Sequence, residues 1–191
     1  EGLQVIRGTS VLFVSVFMAA WVNLLLAPFN LLVPVYSDKI LMAGSKGYSL
    51  IEMSFTAGVI VGSVIVGYIG HRTKKSKLII TGFAAFGIGI GSLGFIDSLN
   101  LAIVSCMVAG IFLSFISSAA NTLIQETTPK DKMGRITGTM GTLCMLGLPV
   151  GYALSGFLTA GLNISTTYIV LGALICSVVI PALFTKDFFK Y

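Results

Sequence analysis

The chain has 191 residues, of which 55% are apolar and only 10% charged, with a mean hydropathy of +0.98 and a formal net charge of +5. A water-soluble domain needs about a quarter of its residues charged to cover its surface, so this composition excludes one and implies an integral membrane protein. The period-two alternation of a membrane β-barrel is missing, which leaves helices as the way to satisfy the backbone in lipid.

A bilayer core of about 30 Å takes about 20 helical residues, and the sequence divides into six apolar segments of that order. Span one, Val11 to Val35, carries Asn23 and Asn30, seven residues apart and so nearly eclipsed on a helix, with Ala19, Leu26 and Ala27 on the same face. Trp21 points about 200° away from Asn23, toward another surface. Pro28 and Pro34 remove backbone donors and can bend this span. Span two, Ser49 to Ile69, has Gly58 and Gly62 four residues apart and Glu52 three residues from its start. A charge so near the edge avoids most of the cost of the bilayer centre, which places Glu52 at the interface and any proton-coupling carboxylate elsewhere.

The loop GHRTKKSK follows, Gly70 to Lys77, with Arg72, Lys74, Lys75 and Lys77 within six residues. On this pattern His71 reads as a solvated loop residue, with a pH sensor as the alternative. Span three, Leu78 to Ile96, repeats the four-residue glycine spacing at Gly87 and Gly91. Span four, Leu101 to Ile124, holds the most informative feature, a polar stripe of Ser114, Ser117, Ser118, Asn121 and Gln125. Offsets of 0, 3, 4, 7 and 11 at about 100° per residue keep all five on one narrow face. Asp97 and Glu126 border this span. Span five, Ile136 to Ala160, spaces Gly147, Gly151 and Ser155 by four around Pro149, and span six runs from Ser165 to Phe184.

Small residues at four-residue spacing let helix backbones approach in lipid, so Gly147, Gly151 and Ser155 are expected at a helix contact and not on a substrate surface. The amide and hydroxyl stripes admit two readings. They bond neighbouring helices, at about 0.6 kcal/mol per bond in a membrane, or they line a solvated cleft. Cys106, Cys144 and Cys176 lie singly inside apolar spans as packing residues, and no metal-ligand set, cofactor motif or catalytic pattern of the H-E-x-x-H, G-x-S-x-G or P-loop kind accompanies them. The expected cofactor and metal sets are therefore none, and the chain is not expected to be an enzyme.

Cations near span ends stay on the cytoplasmic side. Arg7, Arg72, Lys74, Lys75, Lys77, Lys130, Lys132, Arg135, Lys186 and Lys190 share one side, against Lys39 and Lys46 on the other. That asymmetry puts both termini in the cytoplasm of a plasma-type membrane and requires an even number of crossings. The positive charge thus belongs to topology and anionic lipid; no basic stretch is interleaved with aromatics as a nucleic-acid site would need.

GYIGHRTKKSK, from Gly67, is similar to the signature loop of the major facilitator superfamily, with Gly67, Arg72 and Lys75 matching. His71 stands in place of Asp and Lys74 in place of Gly, as in the degenerate copy of second halves. NTLIQETTPKDKMGRITG, from Asn121, is similar to the loop after the tenth helix of bacterial drug exporters of the macrolide-efflux branch, and GLPVGYALSG, from Gly147 to Gly156, resembles their eleventh helix. The resemblance implies an all-α membrane protein, a six-helix half with a three-plus-three inverted repeat, cut from a twelve-helix fold with substrate near the midplane. It further implies export of apolar or amphipathic small molecules by alternating access, with the proton as a candidate coupling ion. Spans one, two, four and five would line the cavity, at Asn23, Asn30, Ser114, Ser117, Ser118, Asn121 and Gln125, and three and six would support them. The missing N-terminal half, or a second copy, would be the partner in the bilayer. A structural or assembly module using the same faces only for packing is the alternative, and a multi-copy channel is disfavoured by the few polar residues on spans three and six.

The charge asymmetry carries a direct test. With native cysteines replaced, a thiol probe that cannot cross the membrane is expected to label Lys46→Cys on intact cells and to spare Lys74→Cys; the reverse pattern would invert the topology.

Overall fold

The computed structural model describes residues 10–70, 73–128 and 132–179. Six helices fill these segments: α1 Ser10–Lys39, α2 Gly44–Ile69, α3 Lys75–Ser92 with a 3-10 turn at Leu93–Phe95, α4 Leu99–Thr127, α5 Met133–Gly161 and α6 Ile164–Ser177. No strand occurs among the described residues. Spans one, two, four and five each lie in one helix, span three continues from α3 through the 3-10 turn to Ile96, and five of the helices are long and apolar enough to cross a membrane. The last residues of span six, through Phe184, lie outside the described residues, as do His71 and Arg72 of the basic loop.

The helices outrun the apolar segments because hydropathy marks where lipid ends, whereas backbone bonding continues into the polar interface. Helix α2 begins at Gly44, five residues before Ser49, and α1 continues to Lys39. Pro28 and Pro34 sit inside α1 and Pro149 inside α5, and both helices remain continuous through them. At the start of α6 the Asn163 side chain accepts from the Thr166 N–H at 2.8 Å, a cap that replaces one missing intrahelical partner.

Glycine contacts fix the relative directions of the helices. A Cβ placed on Gly58 would strike the Met107 carbonyl, one on Gly62 would lie 2.7 Å from Ile111 Cα, and one on Gly110 would strike the Phe55 carbonyl. Residue numbers rise together, so α2 and α4 run parallel. Gly147 against Ala20 and Leu24, then Gly151 against Leu24 and Ala27, make α1 and α5 parallel in the same way. Numbers run oppositely where Gly87 meets Gly172 and Cys176 while Gly94 meets Ser165 and Ile169, so α3 and α6 are antiparallel. Gly82 against Ile116 and Gly89 against Ala109 make α3 and α4 antiparallel too. Successive helices therefore alternate in direction. The pairs α1 with α5 and α4 with α2 are counterparts under exchange of the first three helices with the last three, as an inverted three-plus-three repeat requires.

The core forms where α1, α3, α4 and α6 meet. Phe29 and Tyr36 from α1, Phe83 and Phe86 from α3, Cys106 and Leu123 from α4, and Tyr168 and Leu171 from α6 are all buried. Trp21, on the opposite side of α1 from Asn23, donates from its indole to the Leu174 carbonyl of α6 at 3.2 Å. Helix α5 is the least enclosed, burying only Ile136, Gly151 and Ser155 and exposing Met145, Leu146, Val150 and Phe157. Helix α2 likewise exposes Ile60, Val64 and Tyr68. The bundle thus has a packed back, α3 with α6, and open faces on α2 and α5.

Pro28 has no N–H to offer the Leu24 carbonyl one turn earlier, and this is the carbonyl that Gly151 approaches. Any side chain at 151 must separate α5 from α1. Gly151→Leu is expected to cost about 1–3 kcal/mol, the usual penalty of overpacking. Gly156, with nothing within 4 Å of its Cβ position, should accept Leu with little change. Thermal unfolding of the purified protein in detergent would compare the two.

Candidate transport cleft

The polar stripe of α4 divides between three surroundings. Ser114 is buried, donates to the Ile111 carbonyl of its own helix at 2.8 Å, and faces Gly62 of α2. Ser117 and Asn121 line a cleft of about 170 Å³ between α1, α4 and α5, where they meet Asn23, Met140 and Cys144. Ser118 lies on the other side, in a cleft of about 530 Å³ between α2, α3 and α4 that also takes in Ser63, Gly67, Lys75, Thr122 and Glu126. Gln125 and Asn30 are exposed and line neither cleft. The expected common cleft therefore narrows to Asn23, Ser117 and Asn121. Adjacent residues on a helix differ by about 100°, enough to send Ser117 and Ser118 to opposite flanks when helices pack on both sides.

The two readings of the stripe differ in where its hydrogen bonds go. The Asn23 amide donates to Ala19 O at 2.9 Å and Thr122 Oγ1 to Ser118 O at 2.9 Å, both within their own helices. Asn121, Ser117 and Gln125 make no side-chain hydrogen bond among the described residues. Polar bonds that do cross between helices lie elsewhere: Ser105 Oγ to Gly89 O at 2.8 Å joins α4 to α3, and Tyr36 Oη to Ile96 O at 2.6 Å ties α1 to the turn before α4. The polar bonds between helices are thus made by other residues, while Ser117 and Asn121 keep their polar atoms available.

Of the signature-loop residues, Gly67 is exposed with open space at its Cβ position, and Lys75 pairs with Glu126 at 2.8 Å, joining the start of α3 to the end of α4. Arg72 lies outside the described residues. The pair is partly exposed and orients the two helix ends more than it stabilises them. Gly147 and Gly151 lie against α1, and Ser155, one turn further, is fully buried and donates to Tyr152 O of its own helix at 2.7 Å. Sequence spacing alone did not single out Cys144 and Met140, which reach the 170 Å³ cleft from α5; their signal is the one-turn separation on a helix whose partner was unknown.

Residues 9–188 match the sequence profile of the Major Facilitator Superfamily. Macrolide efflux protein A of Streptococcus pyogenes is 25% identical over 182 residues, covering 94% of this chain and 45% of that protein. Macrolide efflux protein A of Enterococcus faecalis is 25% identical over 153 residues, covering 79% of this chain and 47% of its own length. Multidrug efflux pump Tap of Mycolicibacterium fortuitum is 24% identical over 119 residues, covering 62% and 29%. The chain spans about half the length of the macrolide efflux relatives that it matches.

The two serine and asparagine surroundings make opposite stability predictions. Asn121→Leu should fold with a change within about 0.5 kcal/mol, as at an exposed site. Ser114→Leu must force α2 and α4 apart at Gly62 and is expected to lower the unfolding temperature in detergent clearly. Equal losses in both variants would return Asn121 to the helix contact.

Proposed function

Because this chain belongs to the major facilitator superfamily, we propose that it is the six-helix half of a multi-pass membrane transporter that exports apolar or amphipathic small molecules. Its polar wall is Asn23 of α1 with Ser117 and Asn121 of α4, flanked by Cys144 and Met140 of α5. The observation that carries this is the convergence of those amides on one cleft while helix packing relies on glycines elsewhere. A volume of about 170 Å³ is below the roughly 300–1,000 Å³ of small-molecule pockets, so this cleft is a wall that a second bundle completes. Few, spaced polar atoms among apolar and sulfur-bearing side chains suit a mainly apolar ligand with a small number of hydrogen-bonding groups.

The partner is a complementary six-helix half or a second copy of this chain, and the open faces of α2 and α5 are the surfaces on which it rocks. The packed α3–α6 back moves as one body with them, exposing the cleft to either side in turn. Both ends of the chain face the cytoplasm in this arrangement, with the Lys75–Glu126 pair at the cytoplasmic ends of α3 and α4 and Lys39 and Lys46 outside.

Macrolides are the first substrates to try, given the two relatives' names. Cells carrying the whole transporter should retain less labelled macrolide or apolar dye than cells without it, and dissipating the membrane's ion gradients should abolish the difference. Asn121→Leu should change the rate or the substrate preference at normal protein level. Unaltered retention across a panel of apolar and amphipathic compounds would overturn the export reading.

A further inference from the structure

Asn30 leaves two polar groups unspent inside the membrane. A slab of about 30 Å centred on the apolar stretch Phe13–Lys39 of α1 puts it about 9 Å beneath the boundary on the Lys39 and Lys46 side, which is external in the arrangement above. Its side chain is exposed and makes no hydrogen bond among the described residues, whereas the Asn23 amide is bonded to Ala19 O. Its backbone carbonyl is unspent too. Pro34, one turn further, has no N–H to offer, so the helix supplies no donor for that oxygen. One residue thus presents two acceptor oxygens, Oδ1 and a bare carbonyl, beside a single NH2 donor group.

The surface around Asn30 is open. Asn30, Leu31, Pro34, Val35 and Asp38 are all exposed, and offsets of 0, 1, 4, 5 and 8 residues at about 100° each keep them in one strip about 140° wide that climbs to the external end of α1. Hydrocarbon offers no donor to a bare carbonyl, so at this depth the strip faces protein or a water-filled path and not lipid. Position favours the path. Asn30 lies about 20° round α1 from Asn23, which lines the inner cleft, and about 10 Å further toward the outside. Between the two, Ala27 is fully buried where Gly151 of α5 meets α1. The inner cleft and the outer strip are therefore two openings along one line, parted by a helix contact.

We propose that Asn30 is a second polar station, on the external limb of the substrate path, and that it receives an O–H or N–H donor of the outgoing molecule after that molecule leaves the Asn23, Ser117 and Asn121 cleft. This rests on the transporter reading above. A molecule that offers a donor can engage Oδ1 or the bare carbonyl, whereas one that offers only acceptors is left with the NH2 group. The station therefore sorts substrates by donor content.

The test uses the whole transporter in intact cells, with Cys106, Cys144 and Cys176 replaced, and two probes: an apolar dye carrying one hydroxyl and its methyl ether, which lacks only the donor. Both dyes should be exported. Added outside, the hydroxyl dye should compete with export at about one fifth of the ether's concentration, the effect of one hydrogen bond. Asn30→Leu should slow export and bring the two dyes to equal potency. A thiol reagent that cannot cross the membrane should modify Asn30→Cys from outside, and saturating hydroxyl dye should slow that reaction. Unmodified Asn30 that does not tell the dyes apart, or Asn30→Leu that still does, would overturn the proposal. So would an Asn30→Cys thiol that the reagent never reaches, which would set the residue against the partner bundle, or one that the dye does not protect. If Asn30→Leu unfolds early in detergent, the Asn30→Cys reaction decides. Any of these failures with both dyes still exported leaves the transporter reading intact, whereas export of neither dye overturns that reading and the proposal with it.

Discussion

Close approach of helix backbones in lipid is the constraint on which this bundle depends. Two helices gain little hydrophobic energy by leaving lipid for each other, so association rests on dispersion and weak Cα–H contacts that require the backbones to touch. Gly58 and Gly110 make reciprocal contacts of this kind, each set against a carbonyl of the other's helix. Gly151 does the same to Leu24, whose carbonyl Pro28 has left without its usual donor. The sequence positions of a few glycines therefore decide which helices pair, in which direction, and how closely.

That arrangement frees the polar residues for other work. Where glycines hold α2 to α4 and α5 to α1, asparagine and serine need not bridge helices. Asn23 bonds its own helix, and the α4 amides and hydroxyls that face the clefts are not drawn into neighbouring backbones. The glycine face and the polar face of α4 are also angularly separate: Gly110 and Ser114 turn onto α2, while Ser117 and Asn121 turn toward α1 and α5. One helix is thus clamped on one side and turns polar side chains toward a cleft on another.

Much of this was legible in the sequence because it depends on period and composition. Apolar length marked segments that coincide with the described helices, and four-residue glycine spacing marked the contacts found at Gly62, Gly87 and Gly151, whereas the seven-residue offset expected Asn23 and Asn30 in one cleft and the structure brings only Asn23 to it with Asn121. Properties set by neighbours were not legible. The division of Ser117 from Ser118 arises because α4 has partners on both flanks, and the Lys75–Glu126 pair joins residues 51 positions apart.

The central claim is that the Asn23, Ser117 and Asn121 cleft is a wall of the substrate path and is not an accident of packing. Thiol labelling of Asn121→Cys tests it most directly, in the whole transporter with Cys106, Cys144 and Cys176 replaced and flux retained. A water-soluble reagent should modify this position, and bound substrate should slow the reaction in proportion to its occupancy. A thiol that the reagent never reaches, or one whose labelling is indifferent to saturating substrate in an actively transporting protein, would contradict the account.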